Sequence, residues 1–295
     1  MSETQLEKTA KNLRSRLFRI EKTSLSELKI TIDLSNIFPQ SFPILYDYKI
    51  EGEKFVYFFE RLEPLMSRYR SISRLIAGPT AEESLFHCFC LSTQCLFGLE
   101  NLHFYMQLVH SDISPRNIVY SETTKTWKLI DFDHSRFTSE SLTDSRVAGT
   151  KGYIAPESEE TGIFTEKSDI YSLGKVFLEV IDSILLNQIH SVESDDEDDE
   201  TIARIRSIEP IAMKFSNCIN SMIQSDPSAR PSAIAALRTV YGLFESTFDI
   251  PDQLIFHSIE SRLKIDQSDK ERRSKQDIEI SERTLLIQYF LLLYH

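Results

Sequence analysis

Three short segments carry side chains able to take up a proton or hold a cation. The first reads Val109-His110-Ser111-Asp112-Ile113-Ser114-Pro115-Arg116-Asn117-Ile118-Val119-Tyr120. The second begins at Lys128, eleven residues after Asn117, and reads Lys-Leu-Ile-Asp131-Phe132-Asp133. The third is Gly149-Thr150-Lys151-Gly152-Tyr153-Ile154-Ala155-Pro156-Glu157. Asp112, Asn117 and Asp131 offer oxygens of the kind that bind hard cations, and a carboxylate can also act as a base. Two further segments follow, Ser168-Asp169-Ile170-Tyr171-Ser172-Leu173-Gly174 and Asp226-Pro227-Ser228-Ala229-Arg230-Pro231-Ser232. Any one of these could arise by chance. Five in this order, behind an apolar stretch ending Leu99-Glu100-Asn101-Leu102-His103, could hardly do so.

In order and spacing the segments resemble the catalytic loop, the metal-binding D-F-G and the A-P-E of eukaryotic protein kinases, over about residues 42–245. The forms Asp-Ile-Ser and Asp-Phe-Asp are also similar to kinase-like proteins expanded in fungi. The resemblance implies an α+β, protein-kinase-like fold with a mainly helical large lobe. It implies phosphoryl transfer with ATP and Mg²⁺ as cofactors, in which catalysis is mostly positioning and charge neutralisation. Asp112 would accept the proton of the substrate hydroxyl, and Asn117 and Asp131 would hold Mg²⁺. Backbone groups of Glu60 and Leu62, on either side of Arg61, would bind adenine, with Phe59 as the back wall of the pocket. Glu157 with Arg230, and Asp169 beneath the catalytic loop, would be supports. The competing reading of all these residues is a set of ordinary polar loop positions.

Elements must position these groups. Residues 3–22 have helical spacing of Leu6, Leu13, Leu17 and Ile20. Residues 43–48 and 54–59 read as strands around a turn at Glu51-Gly52-Glu53. A long helix is expected from Thr80, a good N-cap followed by Glu82 and Glu83, to about His103. Short strands are expected at 117–120 and 127–131, and helices from about 167 onward. The acidic run Glu193–Glu200 reads as a solvated loop over 191–201, with Ser194 in an acidic context suited to regulation. The expected organisation is a reduced small lobe over 1–59, a large lobe over 60–248 and a helical tail over 249–295.

The small lobe departs from the kinase pattern. The first glycine is Gly52, so no glycine-rich loop stands upstream of it. Lys8, Lys11, Lys22 and Lys29 are candidates for the strand lysine, yet none lies in a β-branched strand context. Glu27 or Glu21 would be the helix glutamate, left without its usual partner. The expectation is one helix and two strands. In the large lobe, Ser111 replaces the arginine of H-R-D, which argues against switching through Thr138, Ser139, Ser141, Thr143 or Ser145. Ser114 stands where a phosphate-steering lysine is usual, and Arg116 could supply that charge. Gly149-Thr150 and Tyr153 look like the serine/threonine form. Asp133 replaces a glycine, losing freedom at positive φ and adding a carboxylate near the metal.

The chain of 295 residues has a net charge of −12, which argues against a nucleic-acid backbone as partner. Cys88, Cys90, Cys95 and Cys218 form no C-x-x-C pair and read as free thiols in a reducing, intracellular setting, cytoplasmic or nuclear. The Leu285–Tyr294 run is too short for a membrane span, which needs about 20 residues. Two functions follow: a serine/threonine protein kinase acting on a protein substrate, or a pseudokinase that docks a protein partner. A product shortened relative to longer relatives is a third reading.

Overall fold

The computed structural model describes residues 18–66, 80–138, 149–186 and 199–248. The helical pattern over 3–17, the sites from Ser139 to Ser145, Ser194 and the tail from 249 lie outside the described residues.

Three strands open the fold: β1 (Phe18–Lys22), β2 (Leu45–Glu51) and β3 (Lys54–Phe59), antiparallel in the order β1-β3-β2. Phe18, Ile20 and Lys22 of β1 face inward while Arg19 and Glu21 face water, a period of two. Residues 18–22 are therefore a strand and not the end of a helix, because β3 supplies a partner ladder from Phe59 to Phe55. The β2–β3 turn places Gly52 at φ 65°, a conformation that costs a β-carbon residue energy.

Helix α1 (Leu25–Ile37) follows β1 directly, with the Ser24 hydroxyl capping the Glu27 N–H at 3.2 Å. The small lobe thus has three described strands and this helix, where the sequence suggests two strands and a helix further upstream. Leu28 of α1 packs with Tyr57, Phe59, Leu62 and Val119, while Ile30 and Leu34 join the main core.

A second antiparallel sheet, β4-β6-β7, is built from β4 (Leu62–Pro64), β6 (Ile118–Ser121) and β7 (Thr126–Leu129). A two-stranded ladder joins β5 (Leu108–Val109) to β8 (Arg136–Phe137). Helix α2 (Ala81–Glu100), capped by Thr80, continues as a π turn over Asn101–Tyr105, and almost all its residues are buried. It carries Cys88, Cys90 and Cys95, all buried and free.

The other helices are α3 (Pro156–Thr161), α4 (Glu166–Val180), which runs on as a π turn to Leu186, α5 (Asp199–Met222) and α6 (Ala233–Thr247). Phe89 of α2 stacks on Phe244 of α6 at 5.3 Å and meets Phe215 of α5 at 4.4 Å. Gly174 lets α4 approach the end of α5; a β-carbon there would stand 2.8 Å from Ile223 and 2.9 Å from Met222. Asp199 and Glu200, expected within a solvated loop over 191–201, are helical, and the rest of the acidic run lies outside the described residues. Helix α5 already begins at Asp199, because acidic residues are favourable in the first turn of a helix.

Candidate active site

Asp131 leaves β7 in the left-handed region at φ 71°, a conformation aspartate tolerates better than most residues. Phe132, buried, fixes it from behind. Its ring meets Phe42 at 5.7 Å and His110 at 5.3 Å, linking the segment after α1 to the catalytic loop. The loop is anchored from below by Asp169 on α4. The two Asp169 oxygens accept the backbone N–H groups of His110 at 2.7 Å and Ser111 at 2.9 Å, and His103 Nε2 lies 2.9 Å away. Ser111, at φ 67°, keeps its side chain buried, with no hydrogen-bond partner for its hydroxyl among the described residues. The Glu157 and Arg230 supports also meet, in a two-pronged ion pair at 2.7 and 2.8 Å.

Asp112 and Asn117 are brought together by a 3₁₀ turn at Pro115–Asn117. The Asn117 amide nitrogen donates to the Asp112 carbonyl at 2.8 Å and to Asp112 Oδ2 at 3.1 Å. That orientation keeps Asn117 Oδ1 as the atom it can offer a cation. The Thr150 hydroxyl donates to Asp112 Oδ1 at 2.7 Å.

Lys22 supplies what the sequence left in doubt. From the end of β1 its Nζ binds Asp131, reaches Asp133 at 3.0 Å and stands 3.3 Å from Glu27. Lys22 on β1 and Glu27 on α1 thus pair a strand lysine with a helix glutamate only five residues apart. Glu21 is excluded from this role, being exposed on the outer face with Arg19 and Lys54. Lys29 is exposed, and Lys8 and Lys11 lie outside the described residues. The missed signal is Ser24-x-x-Glu27, the spacing of a capping box, two residues after Lys22.

Glu27, Asp131 and Asp133 each place a carboxylate oxygen within 4.8 Å of the others. Burial, with the hydrogen bond to Asp133, pushes Glu27 up to about 8 despite Lys22. Burial also opposes ionisation of Asp133, but hydrogen bonds from Glu27 and Lys22 outweigh it and hold Asp133 below the usual carboxylate range. For Lys22, burial is overcome by Asp131, Glu27 and Asp133, so its ammonium is held more firmly than an exposed one. Asp133 has no positive φ, so no glycine is needed there; the left-handed residue is Asp131.

Glu60 and Leu62, expected to offer backbone groups to adenine, lie at the junction of β3 and β4. Glu60 is fully buried, and its carboxylate accepts from Lys128 Nζ at 2.7 Å, from the Ile44 N–H at 2.9 Å and from the Ser121 hydroxyl. Its own N–H is given to the Ile44 carbonyl at 3.0 Å, so its carbonyl is the backbone group it could offer a ligand. Leu62 packs against Val119. Neither residue lines the small pocket, open to solvent on one side, which holds about 60 Å³ between Ile20, Lys22, Phe42, Phe59 and Asp131. Phe59 does form its wall. Small-molecule sites typically hold roughly 300–1,000 Å³, so a nucleotide would lie mostly outside this small pocket. The donor set, Asp131, Asn117 Oδ1 and the Lys22 ammonium, fits a divalent cation with phosphates.

A family model for the protein kinase domain matches residues 44–242. The chain belongs to that family. It is 31% identical over 182 residues to PTI1-like tyrosine-protein kinase 1 of Arabidopsis thaliana, covering 59% of this chain and 48% of that protein. It is 44% identical over 88 residues to the probable LRR receptor-like serine/threonine-protein kinase RKF3 of the same plant, covering 28% and 14%. The chain thus spans less than half the length of these curated relatives. No helix among the described residues is long and apolar enough to cross a membrane.

Proposed function

We propose that this chain transfers the terminal phosphoryl group of Mg-ATP to serine or threonine hydroxyls of a protein substrate. The observation that carries this reading is Lys22, bonded to Asp131 and standing 3.3 Å from Glu27. It returns to the small lobe the cation that phosphoryl transfer requires. In this reading Asp112 takes the hydroxyl proton as the new oxygen–phosphorus bond forms and the bond from the terminal phosphorus to ADP breaks, ADP leaving with that electron pair, and Thr150 and Asn117 hold the Asp112 carboxylate in place. Asn117 and Asp131 would hold the magnesium, which supplies neutralisation of the phosphate oxygens. Lys22 moves from the carboxylates to the phosphates and adds a fixed positive charge. Glu60, where the two sheets meet, is the natural division between a small lobe ending at 59 and a large lobe over 60–248.

The small pocket favours a second reading, a docking module that binds no nucleotide. A thermal-shift titration with Mg²⁺ and ATP separates the two. Ligand at a hundredfold excess over its Kd stabilises a folded protein by about 2.7 kcal/mol. A magnesium-dependent shift lost in Asp131→Ala, with transfer lost in Asp112→Asn, is the expected result. No shift at millimolar ATP would sink the kinase reading.

A further inference from the structure

Beside Asp112 lies a second, much larger cleft of about 860 Å³, separate from the small pocket. Its charged lining is Arg116, Lys151 and Lys175 together with Glu179 of α4 and Asp182 of the π turn that follows it. Arg116 sits on the turn four residues after Asp112, and Lys151 follows Thr150, whose hydroxyl binds Asp112. Lys175 is half-buried in α4, and among the described residues no carboxylate pairs with any of the three cations. Glu179 is engaged by the Tyr153 hydroxyl. Three cations against two carboxylates leave the cleft beside the proposed base net positive, a local reversal of sign in a chain of net charge −12.

We infer that this cleft selects an acidic segment of the substrate protein, with Asp or Glu flanking the hydroxyl that meets Asp112. The inference rests on the phosphoryl-transfer reading for what happens to the hydroxyl, but not for the binding. Acidic side chains approaching Arg116 and Lys151 gain charge-assisted hydrogen bonds, and a basic peptide would meet repulsion in the same place. Lys175 anchors the far wall, where partial burial weakens screening by salt.

The test uses the full chain and two fluorescent peptides of equal length, each with one serine, one flanked by Asp and Glu and the other by Lys and Arg. Binding is read by anisotropy, and transfer of labelled phosphate to the same peptides is read in parallel. The acidic peptide should bind at least about tenfold tighter at low ionic strength, and the margin should shrink with added salt. The double variant Arg116→Glu/Lys151→Glu should remove that preference, and so should Lys175→Glu. Lys29→Glu, which makes the same charge change per residue on an exposed face away from the cleft, should keep it. Melting temperatures confirm that each variant is folded. Equal binding, a basic preference, no binding of either peptide, or an equal loss in Lys29→Glu would overturn the inference. Acidic peptide bound but not phosphorylated supports the cleft and defeats the transfer reading. Transfer without charge preference does the reverse.

Discussion

Lys22 Nζ and the Glu27 carboxylate stand 3.3 Å apart, although the strand that carries one and the helix that carries the other are joined by two residues. Ser24 makes so short a connection workable, since its hydroxyl caps the helix within two residues of the strand. The lysine is thereby held against Asp131 by local structure as well as by the sheet.

Replacing Lys22 with methionine should lower the rate of phosphoryl transfer by at least about 100-fold, the usual cost of one preorganised electrostatic group. Initial rates with Mg-ATP check this, with the melting temperature as a control for folding. A rate within threefold of the parent would mean that Lys22 is only structural.

Asp133→Gly should strengthen nucleotide binding several-fold. Asp133 competes with incoming phosphates for the Lys22 ammonium, and its backbone has no need of a special conformation to be satisfied by glycine. The KM for ATP should fall. An unchanged KM would show that Asp133 leaves Lys22 free when nucleotide arrives.

The Glu60–Lys128 pair is fully buried, and breaking it should be costly. Lys128→Met leaves an uncompensated carboxylate and should destabilise the fold by about 3–5 kcal/mol. Lys128→Met with Glu60→Gln should recover much of that loss, because glutamine still serves the Ile44 N–H and the Ser121 hydroxyl. Burial, only partly offset by Glu60, pushes Lys128 from 10.5 down to about 8. Between those values the unfolded chain holds the proton more than the folded chain does. This group therefore adds stability as pH rises from about 8, and withdraws it as pH falls through that value. Melting curves from pH 7.5 to 10 should show the parent gaining on the double variant.

Gly174→Ala should destabilise by about 1–3 kcal/mol, the usual cost of overpacking. Its new methyl would meet Ile223 and the Met222 β-carbon inside van der Waals contact, and helix backbones yield little. Chemical denaturation measures it; an unchanged midpoint would mean that α5 can slide away.

The large lobe was legible because its chemistry demands fixed spacing. The supports meet as the segments suggest, Glu157 with Arg230 and Asp169 beneath the catalytic loop, and Asn117 is hydrogen-bonded to Asp112. The Thr80 cap and the two strands around Gly52 were equally plain, being local signals. The small lobe was not. Helix α1 spaces Leu28, Ile30, Ile32 and Leu34 two apart, which gives no helical period to read, and it is helical because its cap and the packing of Leu28 and Leu34 override that pattern. Strand β1 has only five residues, and its ladder partner lies more than thirty positions away. Glu60 was legible as a position but not as a lock, because Lys128, Ser121 and Ile44 converge on it only in three dimensions.

Helix α2 keeps three thiols in the dark. Burial pushes Cys88 up to about 12 and moves Cys90 and Cys95 in the same direction, so almost none of their thiolate, the reactive form, exists at neutral pH. An alkylating reagent should therefore pass over them in the native protein and reach the half-exposed Cys218 first. The pace at which the remaining three become labelled would then time the opening of α2, giving the molecule an internal clock for its own unfolding.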